Sequence, residues 1–211
     1  GSANQWANYG RGSFAWRASE EPFWPFKNTI NDFKLRAAVG QAGNRPSFAQ
    51  QYQTFNISNG SVSANTLGNV NLRPELSTEV ELGFDAEILH KYGLTVTHAL
   101  GIVSSELLQV PPPAASGFTN QWKNAGQLQN STWEVSLNVP LIEKRDLQYS
   151  ARFNFDQTKS EITGIAAGIA PFYYSGGESG ASAMYYVAPG VPYGAIYGRQ
   201  FVEQCSQLPT A

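Results

Sequence analysis

Four carboxylates, Glu79, Glu81, Asp85 and Glu87, fall two or four positions apart in one short stretch, the residue type from which a general acid and its base are drawn. Acid–base cleavage of a glycosidic bond needs two carboxyl groups flanking the bond and an apolar setting that raises the pKa of one of them. This spacing instead sets all four in a row on one face of a strand, and no apolar pocket surrounds any of them. The row reads as a wetted surface. His90 and His98 share no metal-ligand spacing with a carboxylate pair, and His90 sits in a turn. Cys205 is the one cysteine, which excludes a disulfide framework or a multi-cysteine metal site. It has no histidine near it to activate a thiolate. The serines of 58–63 lack the Gly-x-Ser-x-Gly elbow of a hydrolase. The glycine-rich run 175–180 lacks the lysine of a phosphate loop and reads as flexible loop. No catalytic, metal or cofactor-binding residue is assigned, and the chain is not expected to be an enzyme. The best ligand-contact candidates are aromatics in the long connections, Trp122, Phe172, Tyr173 and Tyr174. Their ring faces can stack on sugars or grip apolar peptide side chains, or can pack the connections together.

The elements that position these residues are announced by alternation. In 78–88, Thr78, Val80, Leu82, Phe84, Ala86 and Ile88 alternate with the carboxylates and Gly83. In 147–155, Leu147, Tyr149, Ala151, Phe153 and Phe155 alternate with Gln148, Ser150, Arg152 and Asn154. Segments 133–139 and 33–40 behave the same way, and 94–102 follows more weakly, with His98 on its apolar side. Successive side chains of a strand point to opposite faces, so each segment has one apolar and one polar face. No Asp, Glu, Lys or Arg falls on the apolar parity of the first four. Lipid excludes charge from such a face, at ~2–4 kcal/mol for Lys or Arg near the bilayer midplane. A half-buried soluble sheet excludes it too. The alternation therefore establishes half-buried antiparallel sheet and no more.

The connections discriminate better. Short links, 89–93 and 140–146, alternate with long ones, 41–75, 104–132 and 161 to the end, and a first candidate strand, 13–18, reaches Phe33 through an aromatic-rich link. Compact soluble domains rarely carry several long structureless loops. Outer-membrane barrels do, with short turns on the periplasmic side and long loops outside. Phe23, Trp24, Phe26 and Tyr92 then fall at the short-turn end, as an interfacial aromatic girdle or as a packed corner.

Composition agrees. Only 14% of the 211 residues are charged, against about 25% in an average soluble domain. Mean hydropathy is nevertheless −0.30, because Asn, Gln, Ser and Thr replace the charges. A net charge of −2 with no cluster of Lys and Arg argues against nucleic acid. No run of 18 apolar residues exists for a transmembrane helix. The first residues lack the basic start and apolar core of a signal peptide, so an exported protein is expected to carry its leader elsewhere.

Several motifs, in order, carry a resemblance. Asn69-Val70-Asn71-Leu72-Arg73-Pro74-Glu75-Leu76-Ser77, running on to Glu81 and Gly83, is similar to the stretch by which loops re-enter the wall in TonB-dependent receptors. Asn124-Ala125-Gly126 with Asn130, Glu134 and Leu137 resembles a second hallmark. Val110-Pro111-Pro112-Pro113, Leu35-Arg36-Ala37-Ala38-Val39-Gly40 and Tyr193-Gly194-Ala195-Ile196-Tyr197-Gly198-Arg199-Gln200-Phe201 look like the SusC/RagA-like, TonB-linked branch. Two departures stand out: Thr132 replaces a usual glycine, and 97–103 replaces a polar strand containing Tyr and Arg.

The resemblance implies an all-β fold, about six or seven strands of an antiparallel up-and-down transmembrane β-barrel with long extracellular loops. Residues 1–211 are expected to be barrel domain throughout, with no plug domain. Glu79, Glu81, Asp85, Glu87 and Arg152 are expected to line the lumen. Relatives of this kind are 22-stranded barrels whose lumen is plugged, driven by the TonB complex through an N-terminal segment and capped by a SusD-like surface lipoprotein. The implied function is active uptake of glycan or peptide oligomers across the outer membrane of a Gram-negative cell, in contact with its lipid. Two alternatives are a barrel-derived fragment that pairs with other chains as a structural or assembly component, and a secreted carbohydrate-binding β-sandwich.

Overall fold

Period-two alternation becomes six long strands that pair with their neighbours in a meander. A computed structural model describes residues 8–175 and 184–197, less the side chains of Tyr174, Ser175 and Met184. Cys205, most of the glycine-rich run and the tail motif beyond Tyr197 lie outside the described residues. The strands are β1 (Arg11–Arg17), β2 (Ile30–Asn44), β3 (Phe55–Ser58), β4 (Ser61–Ala64), β5 (Thr66–Leu67), β6 (Glu75–Ile88), β7 (Tyr92–Val110), β8 (Asn120–Lys144), β9 (Leu147–Ile165), β10 (Phe172–Ser175), β11 (Met184–Val187), β12 (Val191–Pro192) and β13 (Ile196–Tyr197). The main sheet runs β1-β2-β6-β7-β8-β9-β12, and β5 joins β8 in parallel. Every long pair is antiparallel. β3 and β4 form a separate hairpin, and β10, β11 and β13 a small sheet.

The strands outrun the alternation that announced them. The expected long connection 104–132 is mostly the continuation of β7 and β8, leaving 111–119 as the link. The expected link 140–146 shrinks to Arg145 and Asp146. Pro140, which has no N–H to give, stands beside a register shift, where the ladder tolerates it. The physical reason is that alternation marks only the length over which one face is apolar. Beyond it both faces are polar, the pattern vanishes, and the backbone ladder continues. The 41–75 connection holds the end of β2, then β3, β4 and β5. The β3–β4 hairpin turns on Asn59 and Gly60 with φ of 48° and 77°, the left-handed pair that a tight hairpin requires.

Directly paired residues share a face, so the registers can be read across the sheet. One row is Trp16, Leu35, Phe84, Val96, Val135 and Phe155; the next is Phe14, Ala37, Leu82, His98, Trp133 and Gln157. The opposite face carries Ala15, Arg36, Gly83, Thr97, Glu134 and Asp156 in one row. From the Val80 row to the Ile88 row the apolar band is about 20 Å tall, at ~3.3 Å per residue and ~40° of strand tilt, close to the ~25 Å band of outer-membrane barrels. Among the described residues no second sheet covers it: Phe153 is 62% exposed and Leu82 55%. A β-sandwich must bury this face against an opposing sheet, so the sandwich alternative fails. His98 is accommodated on the band by its ring, 4.3 Å from that of Trp133, and by a 3.1 Å hydrogen bond between Nε2 and Ser131 Oγ. At the short-turn end Trp24 stacks on Phe33 at 5.2 Å and Phe23 lies 6.1 Å from Trp16. Phe33 and Trp16 are band residues, so these aromatics pack on one another at its rim while Phe23 and Phe26 stay largely exposed.

The polar face is organised by Arg36. Its guanidinium lies 3.2 Å from Glu81 and 3.0 Å from Asp85 and donates to Thr97 Oγ1 at 3.2 Å. Lys34 approaches Asp85 at 3.7 Å and the Thr95 hydroxyl donates to it at 3.1 Å. These groups are partly exposed, so each pair contributes little on its own; together they tie three strands, β2, β6 and β7. Gly83 makes the room, since a Cβ there meets Val96 O at 2.9 Å and Arg36 Nη2 at 3.1 Å. Gly83→Ala is expected to cost about 1–3 kcal/mol in urea unfolding of the lipid-embedded barrel. Gly101→Ala, whose Cβ meets nothing nearer than 3.9 Å, should stay within about 0.5 kcal/mol.

Candidate ligand site at the loop end

Above the apolar band the long connection between β2 and β6 folds back onto β7 and β8, held by side-chain amides and a carboxylate. Asn124 Nδ2 donates to the carbonyls of Arg73 (2.7 Å) and Ser105 (2.8 Å), and its Oδ1 accepts the Arg73 N–H at 2.8 Å. Asn69 Nδ2 donates to Trp122 O at 2.9 Å while its Oδ1 accepts the Asn71 N–H at 3.0 Å. Glu75 accepts the Leu107 N–H at 2.7 Å and the Asn44 amide at 2.9 Å. Backbone polar groups leaving a ladder need such partners, and this sequence supplies them from its motif residues. Gly68 permits the closest approach: a Cβ would come within 2.5 Å of the backbone at Gln51 and Tyr52.

Beside this clamp lies a cavity of about 510 Å³ whose lining includes Trp122, Phe172, Tyr185, Tyr186, Leu108 and Glu106. Its floor is the best-buried apolar cluster described, Val110 (1% exposed), Ala125 and Phe172. Irregular pairing places Glu106: the β7–β8 register shifts on either side of it, and Ser105 has φ of 58°. Bulges of this kind re-aim side chains. Gly126 receives the redirected residue, a Cβ there falling 2.8 Å from Glu106 Oε2 and 2.9 Å from Leu108 Cδ1. Glu106 stands beyond the apolar band, whose upper row contains Leu100. Burial, and then the charge of Glu75, push its carboxyl above the usual carboxylate range.

Of the candidate contacts, Trp122 and Phe172 meet in this cavity. Tyr173 stands outside its lining, exposed, with its ring 4.9 Å from Tyr186 and 6.3 Å from Tyr197. Tyr174 shares β10, and its side chain lies outside the described ones. Glu79, Glu81, Asp85 and Glu87 share the polar face, and Arg152 joins them through the row Asp32, Glu87, Gly93, Asn138 and Arg152. Among the described residues no group of three or more His, Cys, Asp and Glu converges as a metal site would require. Sequence reasoning passed over Glu106, Tyr185 and Tyr186. Glu106 is the only acidic residue between Glu87 and Glu134, a signal that was available.

The family model described as TonB dependent receptor-like, beta-barrel matches residues 1–200. The chain belongs to that family. TonB-dependent receptor P3 of Formosa agariphila is 28% identical over 176 residues, 78% of this chain and 18% of the relative. TonB-dependent receptor P39 of the same organism is 28% identical over 201 residues, 92% of this chain and 18% of the relative. Among solved structures the RagAB peptide transporter superposes with a TM-score of 0.71 at 22% identity, covering 90% of this chain and 21% of that one. The RagAB peptide importer in its closed-closed state gives 0.68 at 21%, covering 96% and 26%. The chain thus spans about a fifth of the length of these relatives, and its open sheet is a section of a TonB-dependent receptor barrel. Two of the stretches by which it resembles the family supply the clamp: Asn69, Arg73 and Glu75 from one and Asn124 from the other. Asn124→Ala is expected to free the Arg73 amide, raising its hydrogen exchange about tenfold or more, since one lost hydrogen bond costs ~1–3 kcal/mol. Asn124→Asp keeps the acceptor and should fall between the two.

Proposed function

We propose that the chain is barrel wall throughout its 211 residues, part of a SusC-like transporter that moves nutrient oligomers, glycans or peptides, across the outer membrane of a Gram-negative cell. The observation that carries this is the apolar band, uncovered by any other layer among the described residues and backed by a charged and polar face. In this reading lipid meets Phe84, Val96, Val135 and Phe155, and the lumen meets Glu79, Glu81, Asp85, Glu87 and Arg152. Carboxylates stay ionised at low cost in a wet lumen and not against hydrocarbon. The role is transport and not catalysis. Trp122 and Phe172 form a substrate surface at the loop end, with Tyr173 and Tyr174 beside it. A SusD-like surface lipoprotein is the proposed outer partner. Its docking surface is the hairpin of β3 and β4, where Phe55, Ile57 and Val62 are exposed. The TonB complex acts through a plug carried elsewhere in the protein.

Two measurements bear on the proposal. Val96→Arg, midway up the band, is expected to lower unfolding stability in lipid by about 2–4 kcal/mol, whereas Ser136→Arg, on the other face, should cost far less; equal effects would overturn the assignment of faces. Cells carrying the full receptor should accumulate labelled oligopeptides or oligosaccharides in a TonB-dependent manner. Trp122→Ala should weaken binding by up to about tenfold, the ~0.5–1.5 kcal/mol scale of one aromatic contact. Uptake indifferent to removal of the receptor would refute transport.

A further inference from the structure

The loop-end cavity has a definite electrostatic character. Trp122, Phe172, Tyr185 and Tyr186 are among its lining residues, Phe172 and Tyr185 on one face of the small sheet and the Tyr186 ring on the other against Tyr173, and among the described lining residues Glu106 is the only charged one. Ring faces carry the negative side of an aromatic quadrupole, so rings and carboxylate act with one sign. Among the described residues Glu106 forms no ion pair and no side-chain hydrogen bond. The neighbouring Glu75 is already engaged by the Leu107 N–H and by Asn44. Leu108 and Ile162 add aliphatic wall. The complement of an apolar, aromatic cavity with one unpaired carboxylate is a cation on an apolar stem.

We propose that this cavity binds an ammonium or guanidinium group carried on an aliphatic stem, as in a basic side chain of a peptide, with Glu106 as its counter-ion and Trp122, Phe172 and Tyr185 around its stem. The proposal rests on the transport reading and narrows its substrate class. A neutral glycan can stack and donate hydroxyls to the carboxylate but leaves its charge without a counter-ion. An acidic glycan is repelled. Burial, and then the like charge of Glu75, disfavour the ionised Glu106 carboxylate, and a bound cation offsets both.

The test uses the full-length receptor in detergent and two end-blocked tripeptides, Ala-Lys-Ala and the same peptide acetylated on the lysine Nε, which differ in one charge. Calorimetry is expected to show the charged peptide binding at least tenfold tighter. In Glu106→Gln the two should agree within about twofold, the acetylated peptide binding as before. Trp122→Leu should weaken the charged peptide more than the acetylated one. Equal affinities in the unaltered receptor, absence of binding by either peptide, or a tenfold preference that survives Glu106→Gln would overturn the proposal. The comparison in the unaltered receptor stands even if a variant fails to fold. TonB-dependent uptake without charge preference would remove this inference and leave transport intact. Charge preference without uptake would do the reverse.

Discussion

A strand that faces hydrocarbon can satisfy its backbone only through its neighbours, and the rest of this structure follows from that constraint. With no water to accept or donate, each N–H and C=O in the band must be paired across the ladder. The register from Ile88 and Tyr92 up to Leu76 and Ser104 is accordingly unbroken. The same holds between β7 and β8 from Gly93 to Val103. Irregularities gather at the band's lowest row and beyond its edges: at Ile30 and Asp32, at Pro140 and Ile142, at Gln127 and Leu128, and around Glu106. Unbroken pairing fixes parity, and parity fixes which side chains meet lipid. One slip by a single residue turns Glu81 and Asp85 outward, so the alternation in the sequence and the regularity of the ladder enforce each other.

The two faces solve different problems. The outer face needs only apolar surface, and it uses unremarkable Leu, Val and Phe with no interlocking partner layer. Its polar members, among them Ser131, Gln157 and Lys159, lie in its upper rows, and His98 is tolerated there because Ser131 on the next strand takes its nitrogen and Trp133 takes its ring. The inner face has opposite charges close together, and there neighbouring strands are tied by side chains. Arg36 on β2 reaches Glu81 and Asp85 on β6 and Thr97 on β7, which is possible because Gly83 between them has no side chain. Partial exposure keeps each contact weak, so the network sets the arrangement of the wall more than its stability.

How much of this was legible depends on where the apolar environment reaches. Inside the band, lipid imposes a period of two on the sequence, and segments 78–88, 133–139 and 147–155 could be placed with the right faces from residue types alone. Outside it nothing imposes a period. The upper halves of β7, β8 and β9 were therefore read as loop, although Asn124 and Gly126 already marked backbone that needed special partners. The β3–β4 hairpin was legible in Asn59-Gly60, the strongest short hairpin signal, and was overlooked because its flanks are short and mostly polar. The candidate site was half legible. Trp122 and Phe172 stand out as large aromatics in long connections, whereas Glu106 reaches the cavity only through register shifts that no local pattern announces.

That last point bears on where specificity can arise in a wall of this kind. A regular ladder offers a substrate only alternating side chains at fixed spacing, the same on every strand. A cavity needs side chains that converge, and convergence requires the ladder to be broken. Breaking it inside hydrocarbon is forbidden, so it is broken above, at Ser105, Glu106 and Ala125, where water and the clamp of Asn69, Glu75 and Asn124 can satisfy the freed backbone groups. Leu107 shows the coupling most directly. Its N–H, beside the register shift, is taken by Glu75, and the carboxylate one residue earlier in the chain is left facing the aromatic cavity. The motif residues that hold the loop are thereby the ones that allow Glu106 to point where a ligand could find it, so the clamp and the candidate site are two consequences of one local departure from regular pairing.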